Sequence, residues 1–125
     1  MYEVTIKKFF SAAHLLKEIG GTCEDLHGHN FVVEISVASC ELNTEGIMID
    51  FKILGIWTDE VIKDLDHKYI NDIKYFEGIN PSSELIAKFI YDRISKKAHR
   101  HHQKVSCVTV WESEDARVSY YGNTP

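Results

Sequence analysis

Apolar and polar residues alternate at the start of the chain, with Tyr2, Val4 and Ile6 separated by Glu3, Thr5 and Lys7. A period of two marks a strand with one buried face. The same alternation runs from Phe31 to Ala38, where Phe31, Val33, Ile35 and Val37 share a parity. Between these segments, residues 15–26 contain Gly20-Gly21 and read as a long loop, a feature of small domains that is usually functional or disordered.

Beyond residue 50 the period changes. Asp50 is placed to cap a helix whose Ile53, Ile56, Trp57, Val61 and Leu65 recur at steps of three and four, predicting one apolar stripe. A second helix is expected at "NPSSE", with Asn80 as cap and Pro81 in the first helical position. Its buried face is Leu85, Ile86, Phe89, Ile90 and Ile94, and "KKAHRHHQK" follows as a polar connection. Strand composition returns from Val105 to Trp111, and after the "SEDA" turn a short last strand spans Val118 to Tyr121. Two strands, two helices and two strands predict an α+β fold with an antiparallel sheet. No linker or repeat divides the chain, so residues 1–125 are expected to form one domain.

Composition narrows the partners. With 44% apolar residues the chain can bury a core, and a net charge of −5 argues against nucleic acid. No apolar run is long enough to span a membrane, and the N-terminus reads as a strand rather than a signal peptide, so a cytoplasmic protein is expected. Cys23, Cys40 and Cys107 are odd in number and widely spaced, which disfavours a disulfide framework. Cys40 and Cys107 lie in or beside strand-like runs and read as small hydrophobes; Cys23 lies in the polar loop, where a thiol is available for chemistry. Its neighbours Glu24 and Asp25 disfavour the thiolate, so activation needs a metal or a histidine nearby.

That need points to "CEDLHGHN". In an extended chain His27 and His29 project side by side, a poor way to fill a core and a good way to begin a metal site. His14, closing "FSAAH", has the parity to join them from a neighbouring strand. Three histidines with a fourth position left open form the pattern of a catalytic zinc; surface or packing histidines are the plainer alternative. Asp66 and His67 end the first helix, where the dipole stabilises a histidine cation and where an Asp–His pair also suits acid–base relay. Glu112 continues the parity of Val108 and Val110, so its carboxylate needs a donor: a lysine, an arginine, or a ligand edge with two parallel N–H groups. Capping accounts for Ser82, Ser83 and Glu84, and the His99–His102 segment reads as a solvated turn.

Taken together, "FSAAH", "CEDLHGHN", "IDF", "LDHKYIND", "NPSSE" and "VTVWES" resemble, in order across nearly the whole chain, the 6-pyruvoyltetrahydropterin synthase / 6-carboxytetrahydropterin synthase family. The resemblance implies a tunnelling fold: a four-stranded antiparallel sheet with two helices on one face, closing as trimers that stack into a homohexamer with active sites at subunit interfaces. It implies one zinc per subunit on His14, His27 and His29. Cys23 would be the proton-abstracting thiolate, assisted by Asp66 and His67. Glu112 would anchor the pterin, with Ser82 and Glu84 lining the pocket. The implied substrate is 7,8-dihydroneopterin triphosphate. Three residues separate Cys23 from His27, the spacing of the bacterial 6-carboxy-forming branch of queuosine biosynthesis, which releases acetaldehyde and triphosphate. Alternatives are a 6-pyruvoyl-forming synthase and, because Glu24 adjoins Cys23, a folate-pathway activity forming 6-hydroxymethyl-dihydropterin. A non-catalytic zinc- or pterin-binding module is the alternative of another class. The cations that bind triphosphate are not singled out among Lys17, Lys52 and Lys68.

Overall fold

The structure is a computed structural model that describes residues 1–16 and 26–123, the His27 side chain excepted. Its elements are β1 (Tyr2–His14), β2 (His27–Ser39), α1 (Phe51–Ile62), β3 (Lys68–Tyr69), α2 (Ser83–Arg100), β4 (Lys104–Trp111) and β5 (Arg117–Tyr120). Two short 3₁₀ turns, Ile70–Asp72 and Lys74–Phe76, lead from β3 towards α2. The sheet order is β3-β1-β2-β4-β5.

Four of these strands form the expected antiparallel sheet. The fifth, β3, is an addition: it pairs parallel to β1 through Ala12 and Ala13 only. Two residues carry no readable alternation, so nothing in the sequence announces it.

The alternation does what its period requires. Phe31, Val33, Ile35 and Val37 are all fully buried, and Phe10 and Ala12 face the same core from β1. A bulge between Ser36 and Val37 changes the register against β4, which lets Val105 and Val108, three residues apart, both turn inward.

Both helices cover this face, with details that differ from expectation. Asp50 caps α1, its carboxylate accepting from the Lys52 amide. The buried stripe of α1, however, is Leu54, Trp57, Thr58, Val61 and Ile62, while Ile53 and Ile56 are exposed. The cap of α2 is Ser82, whose hydroxyl accepts from the Leu85 amide, rather than Asn80; Pro81 lies outside the helix. The helix also continues through Arg100, because Ala98 extends the buried row of Ile90 and Ile94 by one more turn. Among the described residues no helix is long and apolar enough to cross a membrane.

Candidate active site

The site forms at one end of the sheet, where β1 finishes, β2 begins and β4 ends. The antiparallel register sets His14 opposite His27 and Ala12 opposite His29. Strand parity then brings His14 and His29 onto the core side, with ring centroids 5.4 Å apart. Phe31, two residues beyond His29, meets both rings edge-on, at 5.6 Å from His14 and 5.5 Å from His29. Phe31 itself stacks on Phe10 at 4.9 Å. The floor of the site is therefore the aromatic end of the core, which limits how far either imidazole can tilt.

The strand end is clamped as well. The Asn71 side chain accepts from the Leu15 amide and donates to the Leu15 carbonyl, both at 2.9 Å. His14 is fully buried, and its Nδ1 lies 2.8 Å from the Pro81 carbonyl oxygen. Pro81, just before the Ser82 cap, turns its carbonyl to the imidazole.

Glu112 follows β4 directly and keeps the inward parity of Val108 and Val110. Its Oε1 lies 2.8 Å from His14 Nε2 and 3.3 Å from His29 Nε2. Its Oε2 accepts from Ser83 Oγ at 3.3 Å. The two oxygens are thus divided between the histidines and the start of α2.

This arrangement tests whether a cation fits. A neutral imidazole has one N–H, yet both nitrogens of His14 face oxygen acceptors. With Nδ1–H donating to Pro81, the Nε2 lone pair faces the carboxylate, an opposition that a cation between them would relieve. The ligand atoms of His14, His29 and Glu112 all lie within 4.8 Å of one another. Zinc holds nitrogen and oxygen at about 2.0–2.2 Å, which spaces tetrahedral ligands about 3.4 Å apart. Two imidazoles and a carboxylate at this spacing fit a divalent metal, and the Pro81 contact fixes the tautomer that presents Nε2.

Asp66 and His67 form a second, separate pair. Asp66 Oδ1 accepts from the Ser11 amide at 2.9 Å and lies 3.0 Å from His67 Nδ1. The Ser11 amide is the main reason its carboxyl is held below the usual range; His67 adds to this, and burial opposes it. The Ser11 carbonyl accepts from the His67 amide at 2.6 Å, which ties His67 to β1 in the left-handed region at φ 58°. Its side chain is 82% exposed, and among the described residues the ring bonds to Asp66 alone. Ser11 precedes His14 by three residues, roughly 10 Å along a strand. Within one chain, then, this pair stands apart from the His14–His29–Glu112 group.

Of the other expected residues, Ser82 is spent on the α2 cap, and Ser82 and Glu84 line a cavity of ≈130 Å³ together with Glu112. Cys23 lies outside the described residues, as does the side chain of His27, so neither is brought to the site or kept from it here. Cys107 is half-buried, but Cys40 is exposed, contrary to its reading as a small buried hydrophobe. Sequence reasoning missed Ser83 as the partner of Glu112 and missed the Pro81 carbonyl.

Comparison with known proteins decides the family. The family described as 6-pyruvoyl tetrahydropterin synthase matches residues 3–123. The chain belongs to that family. It is 32% identical over 118 residues to the 6-carboxy-5,6,7,8-tetrahydropterin synthase of Bacillus subtilis, covering 90% of this chain and 79% of that protein. It is 36% identical over 106 residues to the dihydroneopterin monophosphate aldolase of Pyrococcus furiosus, covering 85% of each. Its fold superposes on the structure of Caenorhabditis elegans 6-pyruvoyl tetrahydropterin synthase with a TM-score of 0.82, at 25% identity and 98% coverage of both chains. As a member of the family, the chain is an enzyme of the tetrahydropterin synthase type, and the fold is the tunnelling fold of its neighbours.

Proposed function

We propose that this enzyme is a zinc-dependent lyase converting 7,8-dihydroneopterin triphosphate to 6-carboxy-5,6,7,8-tetrahydropterin, with release of acetaldehyde and triphosphate, in queuosine biosynthesis in the cytoplasm. The observation that carries this reading is the convergence of His14, His29 and Glu112, inside a family member related to a bacterial 6-carboxy-forming synthase.

His14, His27 and His29 would hold the metal, His27 being the residue that the register sets opposite His14. A bound zinc would supply Lewis acidity to the substrate side-chain oxygens. The protein's own residues do the rest. With the metal on the three histidines, Glu112 would turn its carboxylate from His14 and His29 to the amino-pyrimidinone edge of the pterin, where two parallel N–H donors match two oxygens. Ser83 keeps that carboxylate oriented, and Ser82 and Glu84 border the same cavity. The Cys23 thiolate takes a proton from the side chain of the substrate. Asp66 and His67 then move protons to and from that side chain as triphosphate leaves.

Because Asp66 and His67 stand apart from the metal group within one chain, this reading needs a second copy to bring the relay to the site. A hexamer of two stacked trimers provides it. The described part of β1 from Tyr2 to Ser11 is paired on one side only, by β2, and β5 likewise has one open flank. These are the edges that a ring of subunits would join.

Product analysis tests the proposal. On 7,8-dihydroneopterin triphosphate the wild-type protein is expected to yield acetaldehyde and 6-carboxytetrahydropterin. Cys23→Ala is expected to lose turnover by about two or more orders of magnitude, the usual scale for a lost general base, while keeping its metal. Substantial activity left in that variant removes Cys23 from its role. A two-carbon phosphorylated fragment in place of acetaldehyde would instead favour side-chain cleavage to 6-hydroxymethyl-dihydropterin. That second reading draws on Glu24 and on the similarity to the Pyrococcus furiosus aldolase.

A further inference from the structure

A groove of ≈270 Å³ runs between α1 and α2. On α2 it is bordered by Arg93, Lys96, Lys97 and Arg100, whose spacing puts four cations on one helical face over two turns. Lys63 faces them from the end of α1. Two acids share the groove: Glu60 pairs with Lys97, and Asp64 with Arg93 at 3.6 Å. Five cations against two acids leave a surplus of three positive charges, in a chain whose net charge is −5.

The two ion pairs have a consequence beyond their own small energies. They occupy Lys97 and Arg93, and Arg93 also lies over the Phe89 ring at 4.6 Å. Lys63, Lys96 and Arg100 have no acidic partner within bonding distance among the described residues. They can turn to an external anion without breaking an existing pair. The carbonyl end of α2 lies nearby and disfavours anions by about half a charge, which the surplus of three outweighs. The volume falls below the range of about 300–1,000 Å³ for drug-sized ligands, so the occupant is small. Cations spread over two turns suit a chain of charges better than one compact anion.

We propose that this groove binds a condensed phosphate chain, free or carried by a nucleoside. It is separate from the His14–His29–Glu112 group: the nearest groove residue on α2, Arg93, lies 10 residues from Ser83, about 15 Å at the helical rise, and Arg100 about 25 Å.

Calorimetric titration of the full-length protein with inorganic tripolyphosphate, ATP and orthophosphate tests this. The expected result is a saturable component of tripolyphosphate binding, about tenfold or more tighter than orthophosphate, that weakens as salt screens the groove. Lys96→Glu/Arg100→Glu, both exposed and checked for folding by circular dichroism, is expected to weaken binding at least about tenfold, and Lys96→Ala/Arg100→Ala to weaken it less. Glu112→Gln is expected to leave it unchanged. Equal affinity for ATP and tripolyphosphate would mean that the phosphates alone are read, and tighter binding of ATP that the nucleoside adds contacts; both support the proposal. No saturable binding, or binding undiminished in the charge-reversed variant, overturns it.

Discussion

Glu112 shows how much can rest on the aim of one side chain. One oxygen addresses His14 and His29 and the other accepts from Ser83, so the carboxylate sits between the two histidines and the start of α2. If its role is to anchor the pterin, Glu112→Gln replaces one acceptor with a donor and removes the charge. Charge-assisted bonds contribute about 1.5–3 kcal/mol, so pterin affinity is expected to fall roughly ten- to a hundredfold. Metal content should stay at the wild-type level. Parallel ligand titrations and metal analysis check this, and equal losses of both would make Glu112 a metal ligand instead. At this scale the sequence was informative where strand parity acts: Glu112 was legible as an inward-facing carboxylate, and His14 and His29 as groups that could share a face. Ser83 was hidden because a capping motif explained it. The Pro81 carbonyl was hidden because a backbone oxygen carries no sequence signal at all.

Among the elements, the turn after α1 holds the most chemistry in the fewest residues. Asp66 accepts from the Ser11 amide while His67 bonds to the Ser11 carbonyl, which stitches this turn to β1 and starts the short strand β3. A carboxyl held below its ordinary range stabilises the fold at pH values above the unfolded pKa, about 3.9 for aspartate. That contribution is lost as pH falls through the folded value. Asp66→Asn is therefore expected to melt lower than wild type near neutral pH, with the gap narrowing once the pH drops below about 4. Thermal melts across a pH series check the sign; a gap that widens in acid contradicts it. The helices explain why element-level reading was right in kind and off in detail. The buried stripe of α1 follows ideal spacing, but its middle position is Thr58, which bonds to the Leu54 carbonyl and so hides a polar residue in the core. Of the expected stripe, Trp57, Val61 and Leu65 are buried, whereas Ile53 and Ile56 lie on the exposed flank. In α2 the charged "KKAHRH" run concealed Ala98, whose four-residue step from Ile94 carries the helix onward.

At the scale of the molecule, one sheet gathers the ends of β1, β2 and β4 into a single place, and the helices seal the core beneath it. Composition and element order were sufficient to expect this architecture. What holds Asp66 and His67 was not readable from them, because both bond to the Ser11 backbone, which carries no sequence signal. The central claim is that the gathered ends hold a metal. Metal analysis of the purified protein after zinc loading and dialysis tests it most directly, comparing wild type with His14→Ala, His27→Ala and His29→Ala. One zinc per chain in wild type, with each alanine variant folded but depleted of the metal, is the predicted result. A wild-type protein that retains no zinc, or variants that retain it fully, would contradict the account.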